Sequence, residues 1–171
     1  HTGDFTVNSR LENPGGTTRS GQDCAGGGLA MYSNILLPVD MEHTTESDRA
    51  LKIALEEARR SKAKLTVMTV APGFGSPLVA SYFEEGAVQA ALQEVARHLK
   101  QYIDDNIPDD VEVEAVVAEG NHAEKILNQE QVGNVDLIVM ASHNGQIEHL
   151  LLGSCAAKVV RHSQCTVTVV K

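Results

Sequence analysis

The residues able to do chemistry in this chain sit where apolar runs end. Ile35-Leu36-Leu37-Pro38-Val39 stops at Asp40, and Val135-Asp136-Leu137-Ile138-Val139-Met140 stops at Ala141-Ser142-His143. Leu150-Leu151-Leu152 then runs straight into Gly153-Ser154-Cys155-Ala156. Gly-Ser ahead of a helical pattern has two readings. The serine can cap the helix by accepting from an orphan N–H of the first turn. Alternatively the glycine lets the backbone approach a phosphate, and the serine joins the free first-turn N–H groups in an anion site. Asp40 can hold a hydroxyl or amine of a ligand, or stand as an ordinary carboxylate at a strand end. His143 can reach an anion or simply close its strand. Pro38 is unusual inside a central strand because it removes a ladder donor.

Other chemistries lack their patterns. There is no GxxxxGK[ST] loop, no GxSxG elbow and no HExxH pair. Gly73-Phe74-Gly75 opens a GxG, but Leu78 stands where the dinucleotide fingerprint needs a third glycine. Cys24, Cys155 and Cys165 have neither zinc nor CxxC spacing. They read as free thiols of a reducing, cytoplasmic compartment, with Cys155 and Cys165 as small core residues. Glu56-Glu57 and Asp104-Asp105 read as solvated helix faces. Asp40 is then the one well-placed carboxylate, thin support for an enzyme.

The elements that must position these residues alternate. Leu65 to Val70 reads as a second strand, with Val70 and Ala71 at its end. Val111 to Ala118 reads as a third, Val135 to Met140 as a fourth and Cys165 to Val170 as a fifth. Between them lie helical patterns. Thr45-Glu46-Ser47-Asp48 starts one, with Ala50, Leu51, Ala54, Leu55 and Ala58 on its buried face. Val88, Leu92, Val95, Leu99 and Tyr102 mark a long helix stopped by Pro108. Asn121-His122-Ala123-Glu124 opens a short one like a capping box, and the last runs from Ser154 to His162. Strands separated by helices imply right-handed crossovers and a parallel sheet covered on both faces, a doubly wound α/β domain. Ligands of such domains lie outside the carboxyl ends of the strands, where strand order reverses.

Composition fits one domain. The chain has 171 residues, 42% hydrophobic and 22% charged, with a net charge of −9. That charge disfavours nucleic acid and anionic membrane as partners, and no apolar run reaches the roughly 20 residues of a membrane span. Residues 1–30 differ from the rest. They hold Gly3, Gly15, Gly16, Gly21, Gly26, Gly27 and Gly28, half of the chain's 14 glycines, and no sustained period. They read as a flexible leader, a tag or vector remnant, with Met31 as the native start of a domain spanning 31–171.

The stretches NILLPVD, LTVMTVAP, DLIVMASH and LLLGSCAAKVVRH together resemble the universal stress protein family over residues 31–171. The resemblance implies a five-stranded, Rossmann-like sheet of strand order 3-2-1-4-5. It implies ATP as ligand, with or without Mg2+, and a regulatory role in stress response. It implies adenosine over Pro38, Val39 and Asp40, with Val70 and Ala141 as walls. The phosphates would meet Gly153, Ser154 and the first-turn N–H groups at Cys155 and Ala156, above a loop anchored in the core by Leu150 to Leu152, with Met140, Ser142 and His143 also among the cofactor-binding residues. It also implies a homodimer through the C-terminal strand, with room for higher oligomers. The usual family loop reads G-x-x-G-x(9)-G-[ST]; Met140 and His143 occupy its two leading glycine positions here. The shorter ASH form resembles the UspF-like branch, with Asn144 where that branch often has arginine. Two further readings stand beside the regulatory one: a slow ATPase or phosphotransferase, and a nucleotide-free dimeric scaffold.

Overall fold

A computed structural model describes Phe5–Val7 and residues 31–73, 86–142 and 152–171. In chain order the elements are β1 (Phe5–Val7), β2 (Asn34–Pro38), α1 (Thr44–Ser61), β3 (Lys64–Ala71), α2 (Ala87–Asn106), β4 (Val113–Glu119), α3 (His122–Val132), β5 (Leu137–Ala141), α4 (Ser154–His162) and β6 (Thr166–Val170). One parallel sheet holds every strand in the order β1-β4-β3-β2-β5-β6. From β2 onward this is the expected 3-2-1-4-5. Strand order reverses between β2 and β5, so the switch point lies there.

Period two sorts β2 onto both faces of the sheet. Ile35, Leu37 and Val39 join the core that packs Ala50, Leu51 and Ala54 of α1 and Leu92, Ala96 and Leu99 of α2. Leu36 joins the opposite core, with Ala123 and Ile126 of α3 and Ala156 and Val159 of α4. Both faces of the central strand are therefore dry, which is why it reads as an unbroken apolar run. Cys155 and Cys165 are half-buried against the second core.

Element boundaries depart from the sequence reading where local chemistry intervenes. α1 begins at Thr44, not Thr45, and no side chain caps it. Asp40 shapes the entry instead: its Oδ1 accepts from the Glu42 N–H at 2.9 Å and its carbonyl accepts from the His43 N–H at 3.2 Å. At α3 half of the expected capping box forms. Asn121 Oδ1 accepts from the Glu124 N–H at 3.2 Å, while the Glu124 carboxylate turns to Lys158 Nζ at 2.9 Å.

One strand was not anticipated. Phe5–Val7 pairs in parallel with Ala115–Val117 and adds a sixth strand beside β4. Three residues show no period to read. β6 occupies the other edge of the sheet. Among the described residues no helix is long and apolar enough to cross a membrane.

Candidate functional site

Pro38 opens the site. The Val39 N–H donates to the Met68 carbonyl at 2.8 Å, so residue 39 faces β3. Pro38, one position earlier, therefore faces β5 with a nitrogen that carries no hydrogen. The ladder follows this chemistry. β2 pairs with β3 as far as Pro38↔Met68, but with β5 only at Ile35↔Leu137 and Leu36↔Ile138. The strands part at their carboxyl ends.

In that crevice lies a cavity of about 300 Å³. Of the residues singled out in the sequence, Pro38, Val39, Asp40, Val70, Met140, Ala141, Gly153, Ser154, Cys155 and Ala156 line it. Ser142 does not: its N–H donates to the Val170 carbonyl at 2.8 Å, and its hydroxyl is buried without a partner. The bond to Val170 continues the β5–β6 ladder. His143, His149, Asn144, Leu150 and Leu151 lie outside the described residues. Leu152 is described and is 36% exposed, so it does not anchor the loop in the core as expected.

The phosphate end is built by backbone. α4 begins at Ser154 itself, with Gly153 as N-cap and no side-chain cap bond. The capping role considered for Ser154 is therefore not used. The first helical bond runs from the Ala157 N–H to the Gly153 carbonyl at 2.8 Å. The N–H groups of Ser154, Cys155 and Ala156 precede it and have no partner within the helix. α4 carries no acidic residue in its first turn and has Arg161 and His162 in its last. Its positive end faces the cavity with nothing of its own to neutralise it.

At the other end, Asp40 Oδ2 lies 3.3 Å from His43 Nδ1, and both side chains are substantially exposed. Ligand atoms of Asp40, Glu42 and His43 come within 4.8 Å of one another, so this exposed trio could hold a cation at the rim. Burial pushes the Cys155 thiol above its usual range, with Lys158 opposing. Burial does the same at Cys165, with the Ser163 hydroxyl opposing. Both stay protonated at neutral pH and neither is an activated nucleophile. The arrangement is suited to holding a flat apolar body that carries polar edges and an anionic tail.

Four lining residues were missed: Ser47, Met68, His122 and Ile126. His122 and Ile126 belong to α3, whose return over the cavity is a consequence of strand order, not of local pattern. Ser47 carried a signal. It falls three and four residues before Ala50 and Leu51, a polar residue on an apolar stripe.

Fold and cavity together define a doubly wound α/β protein with a ligand crevice at its switch point, closed on one side by a helix N-terminus. The chain belongs to the universal stress protein family, whose model matches residues 31–171. A universal stress protein of Methanocaldococcus jannaschii is 30% identical over 155 residues, spanning 84% of this chain and 85% of that protein. The solved structure of the protein MJ0577 superposes with a TM-score of 0.68 at 26% identity, covering 82% of this chain and 96% of that one. Two further family structures share the fold. One is described in complex with cAMP (TM-score 0.53, 24% identity, covering 81% and 96%). The other, from Archaeoglobus fulgidus, is in complex with dAMP (TM-score 0.56, 20% identity, covering 82% and 98%).

Proposed function

We propose that this chain is an adenine-nucleotide-binding universal stress protein, taking ATP, with or without Mg2+, in the switch-point cavity. Binding would regulate a partner or a dimer surface in the cytoplasm. One observation carries the reading: an apolar crevice opened by Pro38 meets the unneutralised N-terminus of α4. The crevice is of a size for a nucleoside body, at the lower end of ordinary ligand pockets. The α4 end supplies N–H donors for phosphate. The cAMP and dAMP complexes of relatives support an adenine ligand for the fold. The short ASH loop supports a place in the UspF-like branch. β6 at a free sheet edge supports a homodimer through that strand.

The direct test is mass analysis of small molecules released when the purified protein is denatured, paired with melting curves in ATP. Release of adenine nucleotide, or an ATP-dependent rise in melting temperature, is the expected result. A protein that releases none, and whose melting is unmoved by millimolar ATP, is the nucleotide-free scaffold instead.

A further inference from the structure

We propose that Ser47 is a ligand-recognition residue, its hydroxyl meeting a polar group on the nucleoside half of the bound molecule. The inference rests on the adenine-nucleotide reading of the cavity. Ser47 lines the cavity and is only 3% exposed. Among the described residues no hydrogen bond engages its hydroxyl. A serine within a helix usually escapes by bonding the carbonyl one turn back, and this one does not. Unlike the hydroxyls of Ser61 and Ser142, the Ser47 hydroxyl is not sealed without a partner in the protein interior but opens on the cavity. A ligand that displaces water there must replace its hydrogen bond or leave a polar group unpaired, which is unfavourable.

The wall it shares offers no relief. Pro38 has no N–H. The Val39 N–H is committed to the Met68 carbonyl at 2.8 Å. Asp40 is engaged by the Glu42 N–H and the His43 ring. Met68 and Val70 are apolar. Once a bound molecule displaces water from the cavity, the partner must come from the ligand. A hydroxyl both donates and accepts, so Ser47 suits a sugar hydroxyl, a ring nitrogen or an exocyclic amine. Phosphate goes elsewhere, because the anion-binding N–H groups belong to α4. Ser47 and Asp40 thus form the nucleoside-reading side of the site, and α4 the phosphate-reading side.

The argument gives one substitution two opposite signs. Ser47→Ala should bind adenosine and ATP about fivefold more weakly, by the same factor for each, since the lost hydrogen bond is to the part they share. The ligand-free variant should melt at the parent's temperature or above it. It loses no hydrogen bond of the free protein, and alanine is the better helix former. Calorimetry with both ligands and a melt of the free proteins read these out. If the parent binds both ligands and the variant binds them as tightly, the Ser47 contact is wrong while the nucleotide reading survives. A loss confined to ATP puts the contact on phosphate and also overturns it. A clear drop in the free variant's melting temperature shows that the hydroxyl already serves the fold. A parent that binds neither ligand removes the nucleotide reading, and this inference with it.

Discussion

Gly153 separates binding from folding more cleanly than any other residue of the site. Its φ of −54° and ψ of 149° are open to any residue, so the backbone there does not require glycine. Gly153 lines the cavity beside the first turn of α4, where a phosphate passing close to the chain would meet a Cβ. Gly153→Val should therefore leave the free protein folded and abolish the ATP-dependent rise in melting temperature. Ser154→Ala should reduce that rise partly, because the first-turn N–H groups remain. A Gly153→Val variant that binds ATP as tightly as the parent in calorimetry would show that the site has been misplaced. Asp40 is harder to read alone, since its carboxylate also holds the turn into α1. Asp40→Asn keeps that acceptor and is the better probe of charge. The lining residues legible from sequence were those that end strands or start α4, because a strand end is marked by the residues that follow it. His122 reaches the cavity from a helix whose own pattern says only that it is a helix, whereas Ser47 showed itself only as a polar residue on the apolar stripe of α1. Pro38 was legible as an anomaly, but its effect, parting β2 from β5, depends on which neighbour its nitrogen faces.

The strands were readable as apolar runs, and their ends were not, because pairing sets them. β4 starts at Val113, two residues after the run begins, since the Val111 N–H is taken by the Pro108 carbonyl at 3.3 Å. Pairing also decides what β6 can do. The Thr166 N–H donates to the Asp136 carbonyl at 3.3 Å, and the Val170 carbonyl accepts from Ser142. Thr166, Thr168 and Val170 therefore face β5, while Val167 and Val169 turn their N–H and C=O groups outward. Val169→Pro removes an outward donor and spares the β5–β6 ladder. If two copies associate along β6, light scattering should show self-association weakened about tenfold or more, two bonds being lost across a two-fold axis. A parent that stays monomeric at high concentration ends that reading. The second core face has its own test. Glu130 is 5% exposed and accepts from Ser163 Oγ at 3.1 Å and the Gln164 N–H at 2.7 Å. It fastens the last turn of α3 to the α4–β6 turn. Glu130→Leu leaves the Gln164 N–H unpaired and Ser163 Oγ with its longer contact to the Cys165 carbonyl at 3.4 Å; it should cost about 1–3 kcal/mol in urea unfolding, with an unchanged slope.

Across the whole molecule, alternating strands and helices and the right-handed crossover rule carried the sequence to its architecture. The same reasoning could not see β1, because three residues are too few to show a period. Stability and ligand are linked at this scale. ATP at 100 times its dissociation constant, bound only to the native state, adds about 2.7 kcal/mol. For a domain of this size that is a rise in melting temperature of about 5–10 °C. The segment ahead of Met31 bears on the same measurement. β1 touches the sheet through three paired positions on the outer side of β4, whereas β4 is held to β3 from Leu65↔Val113 to Ala71↔Glu119. The cavity lies across the sheet, between β2 and β5. A chain starting at Met31 loses the three-position ladder and leaves the outer groups of β4 to water. We expect it to unfold in one cooperative transition within a few degrees of the full chain, and to keep the same ATP-dependent rise. The newly open β4 edge should show instead as a greater tendency to aggregate at high concentration. Calorimetry of the two chains, with and without ATP, decides the matter. A broad, non-cooperative melt of the shorter chain would make Phe5–Val7 an integral strand and move the domain boundary ahead of Met31.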